Sequence, residues 1–148
     1  MKFRRCVWIK RPPSVVFEFL RDKDAFRHPP GSPVLVLERT TPGPVRSGTK
    51  FLEIVRIMPL VRLRVESEIT RVEPPRHLEE KFSSRRMRGY LAYEFIPERG
   101  GTLLVQKETL RYRGALALLE PVVERMLLPR IEARLRAIRG FLAPDGSD

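Results

Sequence analysis

Asparagine is absent from this sequence, glutamine occurs once, at Gln106, and cysteine once, at Cys6. A lone cysteine excludes an internal disulfide, and its apolar neighbours Val7 and Trp8 mark Cys6 as a packed strand residue. Histidine appears only at His28 and His77, without the carboxylate spacing of a zinc helix, so no metal site is expected. Also missing are a Gly-x-Ser-x-Gly turn, a glycine-rich dinucleotide loop and a phosphate-binding loop with its lysine, and no cofactor is expected. No apolar run approaches the roughly 18 residues of a membrane span, which argues against integral membrane association. The leading residues Met1-Lys2-Phe3-Arg4-Arg5 pass into alternation instead of a signal-peptide core, and the chain is read as cytoplasmic. The shortage of Asn and Gln matches a heat-adapted or GC-rich source and carries no functional meaning.

What is present fits one soluble domain. The chain has 148 residues, 42% of them hydrophobic and 32% charged, too apolar for a disordered segment. A single domain over residues 1–143 with a short tail, 144–148, is expected. The net charge of +11 invites a nucleic-acid reading. The arginines are nevertheless scattered over strand faces (Arg62, Arg64), turns (Arg85, Arg86, Arg88) and the polar side of the last helix (Arg130, Arg134, Arg136), with Glu66, Glu68, Glu124 and Glu132 interleaved. That pattern describes a solvated basic surface, and no specific nucleic-acid partner is expected.

Periodicity divides the chain into elements. Phe3 to Lys10 reads as a strand, stopped by Pro12-Pro13, and Pro13 to Leu20 as a short helix with Val16, Phe19 and Leu20 on one side. Asp22 caps a second small helix through Phe26, ended by Pro29-Pro30-Gly31. Strands follow at Val34–Thr40, Thr49–Ile57 and Val61–Thr70, the last with the clearest two-residue alternation, then at His77–Phe82, Gly89–Phe95 and Thr102–Tyr112. The ending, Ala115 to Leu142, is predicted to be one long helix. Its apolar stripe is Leu119, Val123, Leu127, Ile131, Leu135, Ile138 and Leu142, and Pro129 is expected to kink it. Leu116, Val122 and Met126 broaden that face enough to fill a cavity or form a dimer contact, which leaves monomer and homodimer both open. The economical packing is α+β, a curved antiparallel sheet of about seven strands closing around the long helix, with a ligand-sized hollow between them.

The element order and five local phrases resemble the START-like (SRPBCC) superfamily, in particular its polyketide cyclase/dehydrase and lipid-transport-like members. The phrases are Ile9 to Leu20, Gly48-Thr49-Lys50-Phe51, Val72 to Leu78, Tyr93-Glu94-Phe95-Ile96-Pro97 and Gly100-Gly101-Thr102. The resemblance implies a helix-grip fold with two short helices after the first strand. It also implies that Leu104, Gln106, Glu108 and Leu110 alternate into the cavity, unless a bulge near Gly100-Gly101 reverses the parity. Glu108 would then be a buried carboxyl, a candidate acid, base or ligand anchor, and strand alternation places Glu53 on an inward face as a second candidate catalytic group. Leu63, Val65, Tyr93, Phe95, Leu119, Val123 and Leu127 complete the expected ligand-binding wall. The resemblance sets the mouth at Met58, Pro59 and Leu60, at Arg85, Arg86, Met87 and Arg88, and at Arg113, a basic rim suited to an acidic head group.

Three functions follow from that reading. The first is binding of a hydrophobic or amphipathic small molecule, such as a fatty acid or polyketide-like acid, by a carrier, sensor or sequestering protein. The second is a cyclase or dehydratase using the same cavity, and the third is a protein-interaction domain of the chaperone-cofactor kind.

Overall fold

Between Val61 and Glu73 the side chains alternate: Leu63, Val65, Ser67 and Ile69 are buried while Arg62, Arg64, Glu66 and Thr70 are exposed, the period of a strand with one wet face. In the computed structural model, which describes residues 1–25 and 34–144, this run is the longest strand of one antiparallel sheet. The strands are β1 (Lys2–Ile9), β2 (Val34–Arg39), β3 (Lys50–Met58), β4 (Val61–Glu73), β5 (His77–Ser83), β6 (Met87–Glu98) and β7 (Gly101–Tyr112). Their order, β1-β7-β6-β5-β4-β3-β2, is a meander in which only β1 joins out of sequence, beside β7.

Helix α1 (Pro13–Arg21) carries Pro13 in its first turn, where the missing N–H costs nothing. It buries Val16, Phe17 and Leu20, and Phe17 meets Phe95 edge-on at 5.1 Å between ring centroids. At the other end of the chain, α2 (Ala115–Leu118) leads to α3 (Glu120–Leu142). The buried residues of α3 are Val123, Leu127, Ile131, Leu135, Ile138 and Leu142, spaced by three and four, and each contributes roughly 1.5–3 kcal/mol by leaving water. Helix α3 packs against both β1, at one edge of the sheet, and β3, next to the other, which requires the sheet to curl around it.

Four expectations change. The terminal helix is not continuous from Ala115: it breaks at Leu119, because Pro121 has no N–H to extend a helix from the preceding turn and instead starts α3. Leu119, expected on the buried stripe, is 39% exposed at that break. The second short helix is only a 3-10 turn, Lys23–Ala25; Phe26, His28 and Pro29-Pro30-Gly31 lie outside the described residues. Cys6 is exposed, since Val7 and Ile9 take the inward parity of β1. Helix α3 runs on through the exposed Pro129 to Leu142.

Candidate ligand cavity

Each strand sends alternate residues toward α3, and several of these are polar. On β3 the inward set is Phe51, Glu53 and Val55; on β5 it is Leu78, Glu80 and Phe82; on β7 Leu104, Gln106 and Leu110 are buried with Glu108 half-buried among them. No register shift interrupts the pairing of β7 with β1 or with β6, so the alternation starting at Gly101-Thr102 carries through to Glu108. The bulge that would have reversed it is absent there.

These residues enclose a cavity of ≈ 110 Å³ between the sheet, α1 and α3. Its wall is mainly aliphatic, with Leu20, Leu37, Val55, Val65, Ile69, Leu78, Leu91, Leu110, Leu127 and Ile131, joined by Phe82 and Met87. An apolar void of about 150 Å³ accepts benzene, so this one has room for a small ring or a few waters and not for a long acyl chain. A wider hollow, ≈ 660 Å³ and open to solvent, lies beside the exposed Lys2, Arg4, Thr70, Tyr90 and Lys107, with half-buried residues such as Phe3 and Leu91 also lining it.

One side of the cavity is charged. Lys23, in the turn after α1, points inward because Arg39 holds that turn through Asp24 (2.7 Å) and Asp22 (3.5 Å). The Lys23 Nζ donates to Glu53 Oε1 and Glu80 Oε2, both at 2.6 Å, reaches Ser67 Oγ at 3.4 Å, and stands 4.5 Å from the Phe51 ring centre. Burial alone would lower the lysine pKa, but Glu80 and Glu53 together push it above its ordinary range, and Lys23 stays charged. Glu80 is held above the usual carboxylate range, burial outweighing the attraction of Lys23. On α3, Arg134 Nη1 donates to the Tyr93 hydroxyl at 2.6 Å; its Nε is buried without a partner, and among the described residues Arg134 forms no ion pair. Gln106 Nε2 donates to Glu108 Oε2 at 3.1 Å, while Gln106 Oε1 is buried with no partner among the described residues. The Glu108 carboxyl is pushed up to about 7, chiefly by burial; the Gln106 hydrogen bond opposes the rise, Glu80 adds to it and Arg134 opposes it.

The structure brings together Glu53, Val65, Tyr93, Gln106, Glu108, Leu110 and Leu127 on the cavity wall. Leu63, Phe95, Leu104 and Val123 are buried in the apolar cores and do not line it. Met87, expected at the mouth, is buried and part of the wall. Pro59, Leu60, Arg85, Arg86, Arg88 and Arg113 are exposed and do not line the cavity. Sequence reasoning missed Lys23, Glu80 and Arg134. Helical periodicity puts Arg134 on the polar side, yet it sits between Ile131 and Leu135, flanked by the buried stripe. Glu80 carried a legible signal, the alternation Leu78, Glu80, Phe82. Lys23 carried none, since a turn has no periodicity. The described residues contain no group of His, Cys, Asp and Glu side chains able to hold a metal ion.

Similar proteins agree with this architecture. No curated protein matches the chain. Among solved structures, TTHA0849 from Thermus thermophilus superposes with a TM-score of 0.80 at 18% identity, covering 99% of this chain and 100% of that one. The Zhui aromatase/cyclase from a Streptomyces species gives 0.73 at 17% identity, covering 100% and 99%. Ara h 8.0201 gives 0.73 at 16% identity, covering 97% and 98%. These likenesses establish a shared helix-grip fold. The family model described as polyketide cyclase / dehydrase and lipid transport matches residues 1–140. On that match, the chain belongs to the polyketide cyclase / dehydrase and lipid transport family.

Proposed function

We propose that this protein binds a compact amphipathic small molecule, one bearing a ring or short apolar body and an acidic or carbonyl head, in the cavity between the sheet and α3. The observation that carries the reading is the pair of buried polar atoms without partners among the described residues, Arg134 Nε and Gln106 Oε1, on the charged side of a cavity whose remaining wall is mainly apolar. A buried donor and acceptor without partners each cost free energy, which a ligand that meets both recovers. Arg134, whose only hydrogen-bonded partner among the described residues is the Tyr93 hydroxyl, is the cation suited to a carboxylate or carbonyl oxygen. A long fatty acid fits poorly at ≈ 110 Å³ unless the walls separate.

A second reading rests on Glu108. A carboxyl near 7 gives and takes protons at neutral pH, which suits a cyclase or dehydratase acting on the same bound molecule. The test is calorimetric titration with small aromatic hydroxy acids and with the same rings lacking the acid. Binding of the acids, weakened about tenfold or more in Arg134→Met with the fold retained, supports the proposal. Equal affinity for both ligand sets, or none for either set and no molecule retained through purification by native mass spectrometry, rejects it. For the second reading, Glu108→Gln should keep binding and lose turnover.

A further inference from the structure

One end of the molecule combines exposed leucines with unpaired arginines. The tip between β3 and β4 presents Leu60, which is 98% exposed, and α2 presents Leu118, 85% exposed. Leu60, Arg62 and Arg64 share a groove with Arg85 and Arg86 of the β5–β6 turn. That turn is tied to the start of α2, since the Arg113 N–H donates to the Arg86 carbonyl at 2.8 Å just before Gly114. The β5–β6 turn thus neighbours both the β3–β4 tip and the approach to α2. Arg62, Arg64, Arg85, Arg86, Arg88 and Arg113 are all exposed, and none forms an ion pair among the described residues; the groove holds one carboxylate, Glu66.

Exposed arginine alone is ordinary on a chain of charge +11. A leucine that stands almost free of the protein in a groove with four arginines, as Leu60 does, is not, because water solvates the guanidinium groups and penalises the leucine. A bilayer interface satisfies both, with apolar side chains below the head groups and arginines on the phosphates. Nucleic acid would use the arginines and leave Leu60 and Leu118 without a role.

We propose that this end docks reversibly on an anionic membrane surface, with Leu60 and Leu118 inserted and the arginines bound to lipid phosphates. The docking goes beyond the cavity reading and does not rest on it, because vesicle binding is measured with no cavity ligand present. The experiment is co-sedimentation with phosphatidylcholine vesicles, with and without phosphatidylglycerol, at low and high salt. Binding only to the anionic vesicles, reversed by salt, is expected. Leu60→Asp with Leu118→Asp, and separately Arg85→Glu with Arg86→Glu, should each weaken it by about tenfold or more while circular dichroism stays native.

Three results would overturn the proposal. The first is failure of the native protein to bind anionic vesicles. The second is anionic-vesicle binding that survives the leucine substitutions while duplex DNA is bound equally well, which would mark a general polyanion surface. The third is a wild-type dimer that the leucine substitutions dissociate in sedimentation velocity with no effect on vesicle binding, which would assign the leucines to a second copy of the chain.

Discussion

Glu108 shows how one residue's environment becomes a property of the whole fold. Its carboxyl moves from the ordinary 4.5 to about 7 because burial disfavours the charged form. A carboxyl whose pKa rises on folding contributes stability that is fully present below the unfolded value and is lost as pH rises to the folded one. The window is therefore about pH 4.5 to 7, and the loss is of the order of 3 kcal/mol. Melting temperature should fall between about pH 5 and pH 8. In Glu108→Gln, which keeps an acceptor for the Gln106 amide, much of that fall should vanish and stability at about pH 8 should rise. Glu80, also raised, leaves a residual slope of the same sign. Thermal unfolding across that range measures the difference directly, and an identical slope in the variant contradicts the burial argument.

Two glycines separate strand constraints from helix constraints. Gly89 lies in β6 opposite Phe82 and Leu110, and a methyl group there would run into the Thr109 carbonyl and stand 2.7 Å from the Phe82 ring. Backbone cannot yield cheaply, so Gly89→Ala should cost about 2 kcal/mol or more and loosen the β5–β6–β7 pairing. Gly140 lies in α3 with nothing near an added methyl group and no left-handed backbone. There Gly140→Ala should gain roughly 0.5–1 kcal/mol from helix propensity. Urea denaturation of the pair checks both signs. Pro121 illustrates why periodicity misses the element boundary: the apolar stripe reads through it, and only the missing donor ends the helix at Leu119.

Lys23 joins parts of the molecule that are distant along the chain. Its partners Glu53 and Glu80 are 30 and 57 residues away, so the one ammonium fastens the turn after α1 to both β3 and β5. Removing it leaves two buried carboxylates uncompensated. Lys23→Met should destabilise by about 3 kcal/mol or more, and adding Glu80→Gln should recover part of that loss, as read from urea unfolding at neutral pH. A Lys23→Met protein as stable as the native one would show that the pair is hydrated and carries no structural weight.

Element order, the alternation of β4 and the α3 stripe from Val123 to Leu142 are legible along the chain, whereas the parity of Glu108 was open until the unbroken β7 register decided it. They follow from local periods, two residues for a strand and 3.6 for a helix, and a local pattern is readable in one dimension. Three-dimensional packing was needed to show that Lys23 answers Glu53 and Glu80, that Arg134 turns from solvent to Tyr93, and that the mouth arginines stand clear of the cavity. Charge partners and enclosed volume depend on where distant segments meet around the curled sheet, and no spacing along the chain encodes that meeting.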